Sequence, residues 1–470
     1  MLRIALGLIV FVDLALRATE LGVLYTDGAA YPLERARQTL FAPIALHLAS
    51  GSAWVQGGLM GLGMLFAGLL VVGYRTRLMT VLTWYLVISL HHRVYHIQDV
   101  GDQLLRLLLL WCVFLPLGSR YSLDARSRRS SATTVTSIAS AGLLCQVALL
   151  YFFGALHKLK GVTWHTGDAL EMVLQDDVWV RPLGALLGQV PWMTRTMTYG
   201  TVWAELLLPL LLLSPFAMRA CRTVAIPLLL LFALGIGSCL HLGVIPWVIT
   251  AALVSFLPKA VWDRVDRRLG VEQAGALRPG AVAPVSMGAR VLRVVAFGVL
   301  PGILFVQLFT ANIDSLRFPG RIPVWIKKVE FCLGLDQAWG MYAPDPVVSS
   351  FRLKLRLDLE DGQRVEVDFG SERDGWPETE AFEPFDDLWT SYRGRMLLDN
   401  IVYPELAADL RSFLVWACRE WTSAHPERPV LSAGLSKEVR SVRPGTRAPG
   451  AMHSVLRTEP LLGHVCTDHP

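Results

Sequence analysis

Charged side chains are scarce in this 470-residue chain: Asp, Glu, Lys and Arg make up 18% of it, against 53% hydrophobic residues, and the mean hydropathy is +0.44. Too few charges remain to cover a soluble protein of this size, so the composition excludes a soluble domain and points to a lipid-embedded one. Seven cysteines are present, with no C-x-x-C pair and no zinc-like spacing. That removes sequence support for thiol redox or zinc chemistry, and no metal is expected. No internal repeat is visible, and no span pairs with a Gly/Pro-interrupted counterpart in a second half, which disfavours an inverted-repeat transporter. The first apolar run lacks a small-residue cleavage site and contains Asp13, Arg17 and Glu20, so it is expected to be retained.

Apolar runs long enough to cross a hydrocarbon core of ~30 Å recur through the first two-thirds of the chain. Nine are expected, near Leu2–Leu21, Val55–Val72, Leu78–His92, Asp102–Leu117, Thr136–His157, Thr196–Leu213, Arg222–Leu240, Val244–Leu257 and Ala289–Ala311. Arginines cluster in alternate loops, at Arg75 and Arg77, at Arg120, Arg126, Arg128 and Arg129, at Arg219 and Arg222, and at Arg264, Arg267 and Arg268 beside Lys259. Positive charge stays on the cytoplasmic side, so the N-terminus is expected inside an inner (plasma) membrane. This topology accounts for the formal charge of +5, and no nucleic-acid partner is needed to explain it.

The expected organisation is a transmembrane bundle over 1–258, a cytoplasmic linker over 259–288, a last span over 289–311, an extracytoplasmic domain over 312–424 and a disordered tail over 425–470. In the extracytoplasmic part, FRLKLRLDL and QRVEVDF alternate apolar and polar residues around an EDG turn, which predicts a hairpin in an α+β unit. Helical spacing at Leu406, Leu410, Phe413, Leu414 and Ala417 predicts a helix. The tail is rich in Pro, Arg, Ser and Gly without periodicity. Cys332 and Cys418 are the candidates for a disulfide. The fold class is thus a polytopic α-helical membrane protein with a small extracytoplasmic α+β domain.

Ionisable groups at membrane depth are costly and tend to be paired or functional. Asp13 and Arg17 stand four residues apart and Arg17 and Glu20 three, so a local salt-bridged cluster of the three is expected. Other candidates gather at the outer ends of the spans: His91, His92, His96, Asp99 and Asp102, then His157, Lys158 and Lys160, with Glu205 inside the sixth span and His241 at a break. Lys158 stands out in YFFGALHKLKGVTW. Gly161 and Trp164 predict a tight turn into an amphipathic stretch that roofs the lysine, and desolvation there favours a neutral amine able to act as a base. Asp102 and His241 are the candidates for orienting it.

The segments LLVVGYRTRLMTVLTWYLVISLHHR, GDQLLRLLLLWCVFLPLGSRYSLDA, QVALLYFFGALHKLKGVTWHTGDAL and LDQAWGMYAPDP resemble the HTTM proteins, bacterial membrane relatives of vitamin K-dependent gamma-carboxylase. The likeness runs from Ile4 to Trp421. It implies that Lys158 takes the place of the lysine that deprotonates a vitamin K hydroquinone, with His157 where the carboxylase has a second lysine. It implies a reduced quinone as cofactor, near Tyr151, Trp164 and Glu205, and an exported peptide or protein as substrate. Trp339, Tyr342, Asp345, Trp376 and Trp389 form either a peptide-holding set or the core of a small domain. Two functions are therefore expected to compete: a quinol-linked enzyme, and a non-catalytic maturation factor or chaperone for a secreted protein or toxin.

Overall fold

The computed structural model describes residues 1–39, 42–126, 135–176, 178–268, 287–315, 322–346, 349–369, 383–441 and 457–466. Its principal helices are α1 (Leu2–Thr19), α2 (Ala53–Val72), α3 (Thr76–Arg93), α4 (Val100–Val113), α5 (Ile138–Lys158), α6 (Val162–Thr166), α7 (Pro191–Leu213), α8 (Met218–Cys239), α9 (Ile245–Leu253), α10 (Lys259–Arg268), α11 (Leu300–Ser315), α12 (Tyr392–Ile401) and α13 (Ala407–Ala424). Five described helical stretches are long and apolar enough to cross a membrane: α2, α5, α7, α8 and Arg290–Ile313. A sixth is reached if Ile245–Phe256 and α10, bent by 96° to one another, count as one span. The charge-bearing α1 and α3 and the short α4 fall outside that group.

Helix starts follow local chemistry. Asp99 opens α4 by accepting from the Asp102 amide at 2.8 Å while the Asp102 carboxylate accepts from the Asp99 amide at 3.1 Å, a reciprocal cap. Ser137 and Ser140 do the same for α5. Of the long spans α5 is the most enclosed, 61% buried over its apolar window against 17–33% for the others. It packs against α4, α7 and α11. Whatever stands at its end is therefore held by the centre of the bundle.

Of the cluster expected on α1 the Arg17–Asp13 pair forms, with Arg17 Nε 2.7 Å from Asp13; no Arg17–Glu20 ion pair is found among the described residues, and the pair is part of a larger network instead. Arg17 also donates to Asp102 on α4 at 2.9 Å, and Arg393 on α12 donates to Asp102 at 2.9 Å and to Asp13 at 3.2 Å. Arg393 further donates to the Ile97 carbonyl at 2.7 Å. The charges cancel out of water, and together they bolt the C-terminal domain to the bundle.

The C-terminal sheet is antiparallel in the order β2 (Arg364–Phe369), β1 (Ser349–Leu359), β3 (Val430–Ser441), β4 (Arg457–Val465). The predicted hairpin is β1–β2, turning through Gly362 at φ +79°. Leu353, Leu355, Leu357, Val365, Val367 and Phe369 are buried on one face, and α13 covers the sheet with Phe413, Leu414 and Ala417.

Two expectations are corrected here. The tail expected to be disordered supplies β3 and β4: Val430, Ala433, Leu435 and Val439 are buried, and this sparse alternation is diluted by the Ser, Lys and Glu of the solvent face. Residues 442–456 and 467–470 lie outside the described residues, as do 269–286 of the expected linker. Cys418 pairs with Cys466 at the end of β4, not with Cys332, which is buried and free. Only the sheet built by the tail brings Cys466 beside α13. The bridge spans 48 residues, and on the chain-entropy account such a loop contributes about 4 kcal/mol. Non-reducing peptide mapping is expected to return Cys418 and Cys466 linked and Cys332 alkylated only after unfolding, and Cys418→Ser is expected to lower the melting temperature.

Candidate functional site

Lys158 is the last residue of α5 and its side chain is 4% exposed. Both carboxylate oxygens of Glu205, on α7, accept from its amine, at 2.9 and 2.8 Å. Pairing is what burial demands, since a lone charge of either sign would be far more costly there. Pro209 lies four residues beyond Glu205. Lacking an N–H, it leaves the Glu205 carbonyl without a helical partner and loosens α7 at this point.

The roof over Lys158 has two parts. Trp164, on α6, sets its ring 5.3 Å from the Lys158 nitrogen, a cation–π contact in a desolvated place. The sharp turn before α6 needs Gly161, since a Cβ there would lie 1.8 Å from the Pro344 carbonyl. The second part is the segment 339–345. Trp164 donates to the Tyr342 carbonyl at 3.0 Å, and Asp345 accepts from the Val162 and Thr163 amides at 3.1 and 2.7 Å and from the Thr163 hydroxyl at 2.6 Å. Burial pushes the Asp345 carboxyl up, but these bonds from Thr163 and Val162 outweigh it and hold the group below its ordinary value.

Beneath this roof is a cavity of 40 Å³ whose polar lining is Tyr151, Lys158, Glu205 and Trp339. Gly154 keeps the helix surface bare: a Cβ there would lie 3.3 Å from Glu205 Oε2 and 3.5 Å from the Trp339 carbonyl. The Tyr151 hydroxyl and the Trp339 indole N–H are both buried and have no hydrogen-bond partner among the described residues.

A second cavity, of 340 Å³, adjoins the first and shares Val100, Leu242, Ile245 and Met341 with it as a common wall. It lies between the bundle and the C-terminal domain, lined by Asp99, Asp176, Asp399, His241, Trp179, Tyr392 and other aromatics. Among the described residues no Lys or Arg lines it. Gly243, at φ +53°, carries the break between α8 and α9 past this cavity, where a Cβ would lie 2.5 Å from Asp99 and 2.6 Å from the Tyr392 ring.

The structure thus brings Lys158, Glu205, Tyr151 and Trp164 together and keeps the other candidates apart. Asp102 is fully buried in the ion network with Arg17 and Arg393 and does not line the Lys158 cavity. His241 lines the larger cavity, its amide donating to the Trp179 carbonyl at 2.7 Å. His157 is half-buried and lines neither cavity. Trp376 lies outside the described residues. Sequence reasoning placed Trp339 with a peptide-holding or core set; its position at the end of α5 carries no local signal. For Glu205 a signal existed, because a lone acid in an apolar span and a lysine at the end of another each require a partner.

The HTTM domain profile matches residues 1–262. The chain belongs to the HTTM family. No curated protein and no solved structure matches it. The HTTM domain contains Lys158, Trp164 and Glu205, whereas the Trp339–Asp345 half of the roof lies beyond the matched residues. This HTTM chain is a membrane protein of the gamma-carboxylase-related family, and its Lys158 is enclosed.

Asp399 gives the larger cavity a pH dependence. Burial pushes its carboxyl up to about 6 from 3.8, against the attraction of Lys437. The folded chain then holds the proton more tightly than the unfolded chain, so stability falls as pH rises from about 4 to 6 and is flat above. Asp399→Asn is expected to be neutral at pH 4 and stabilising above pH 6, on the order of 2 kcal/mol, as read by melting temperature across pH.

Proposed function

We propose that this HTTM protein is a membrane enzyme in which Lys158 and Glu205 form a proton-transfer pair, serving a reduced quinone and an exported peptide or protein. The observation that carries this reading is the Lys158 amine, buried and bidentate on Glu205 beside a cavity whose lining, Tyr151 and Trp339 apart, is otherwise apolar. Passage of a proton from the Lys158 ammonium across 2.8 Å to Glu205 leaves an amine, the form that acts as a base, and the enclosure keeps water from competing for the proton. The pair replaces the lone desolvated amine expected from the sequence.

The residues fit a hydroquinone by chemistry: two unpartnered donors and an ion pair in apolar surroundings suit an oxygen on an apolar ring. When bound, such a group supplies an ionisable aromatic hydroxyl and two electrons. Tyr151, Trp339 and Lys158 are the residues to hold it, and Trp164 shields the amine from bulk water. The topology that accompanies this reading has nine spans, counting α1, α3 and α4, with the N-terminus cytoplasmic and the C-terminal domain outside the inner membrane. A quinol then reaches the pair from lipid and a peptide reaches it from water.

The competing reading, a non-catalytic maturation factor, treats the pair as a structural tie between α5 and α7. In cells whose phenotype depends on the gene, Lys158→Ala at matched protein level separates the two. Loss of function is expected, by about 10²–10⁴-fold for a lost general base; full function removes the enzymatic reading.

A further inference from the structure

The Lys158 cavity has a surplus of hydrogen-bond donors. A lysine ammonium has three N–H groups, and Glu205 takes two of them. The Tyr151 hydroxyl and the Trp339 N–H, on residues 2% and 3% exposed, have no hydrogen-bond partner among the described residues. Buried donors left unpaired are costly, and although the described residues hold others elsewhere, Tyr151 and Trp339 line one small cavity beside an ion pair. A tyrosine needed only for core volume would be served as well by Phe.

We propose that Tyr151 and Trp339 form a two-donor site for a single oxygen of the ligand, the ionisable hydroxyl of an apolar aromatic ring, presented to the Lys158–Glu205 pair. The proposal rests on the proton-transfer reading of that pair and adds the groups that fix the ligand's oxygen. Indole N–H is a donor only, so the atom it meets is an acceptor. An oxygen that is losing its proton accepts both bonds more strongly as its charge grows, and the two donors hold that charge where the amine can reach it. Cavity size agrees with this division. At 40 Å³ the space is well below the ~150 Å³ that accommodates a benzene ring, so it takes the oxygen and not the ring. Room for a ring, 340 Å³, adjoins it, the two cavities sharing Val100, Leu242, Ile245 and Met341 as lining, so seating an oxygen bonded to a ring requires that shared lining to give way, and Met341 is its flexible, unbranched member.

The full-length protein in lipid nanodiscs provides the test, with 1-naphthol as a redox-silent probe carrying one hydroxyl and 1-methylnaphthalene as its oxygen-free control. Wild type is expected to prefer 1-naphthol by tenfold or more. Tyr151→Phe and Trp339→Phe are each expected to reduce that preference about tenfold, one hydrogen bond's share, and to leave binding of 1-methylnaphthalene unchanged. Without ligand, Tyr151→Phe, which keeps the ring and removes only an unpaired buried hydroxyl, is expected to melt at or above the wild-type temperature, whereas Trp339→Phe also leaves a cavity and is read by the ligand preference alone. A lowered melting temperature in Tyr151→Phe would mean that this hydroxyl has a partner within the protein and would overturn the proposal. So would an unchanged preference in the variants, or no preference in wild type because water alone fills the cavity. Should the preference be absent while Lys158→Ala still abolishes function, the two-donor site falls and the proton-transfer reading stands.

Discussion

Glu205→Leu is expected to cost about 3–5 kcal/mol of stability, because it leaves the Lys158 ammonium buried without its counter-charge. The mirror change Lys158→Met is expected to cost a similar amount by stranding the carboxylate. The double variant Lys158→Met/Glu205→Leu removes both charges together and keeps the volume, so it is expected to return to within about 1–2 kcal/mol of wild type. Melting temperature and membrane-inserted yield of the four proteins give the cycle. A fully additive result would show that the two groups, 2.8 Å apart here, do not meet.

Arg393→Leu is the second large effect. Arg393 is 4% exposed and reaches Asp102, Asp13 and the Ile97 carbonyl, so its loss leaves two buried carboxylates sharing Arg17. About 3–5 kcal/mol is again expected, with a particular outcome: limited proteolysis should release the C-terminal sheet domain while the bundle stays intact. A surface comparison sets the scale. Lys354, on the open face of β1, sits 3.4 Å from Glu366 and 3.3 Å from Glu438, and Lys354→Ala is expected to change stability by less than about 1 kcal/mol.

Local signals in the chain led to part of this architecture. Hydropathy located α2, α5, α7 and α8, because lipid demands unbroken apolar stretches. Period-two alternation located β1 and β2, and the Gly161 turn after Lys158 singled out that lysine. What remained hidden is non-local. Glu205 was visible as a lone acid, yet nothing near it names Lys158, 47 residues earlier, as its partner. Trp339 reaches the cavity only because the chain beyond α11 folds back over the end of α5. The strands β3 and β4 were masked for a related reason: β3 borrows its order from β1, to which it pairs along most of its length, and its own apolar residues are few. Asp102 looked like a site residue because it is charged and close to the candidate histidines. Its charge is consumed instead by Arg17 and Arg393, a demand created by α12, which follows it by nearly 300 residues in sequence.

The enzymatic account depends on the buried ion pair being chemically active as well as cohesive, and the double variant Lys158→Met/Glu205→Leu separates those two roles in one measurement. Its gene-dependent activity, normalised to the amount of folded protein in the membrane, should fall at least hundredfold while abundance stays near wild type. Activity retained in that well-folded double variant would contradict the account and leave the pair as a tie between two helices.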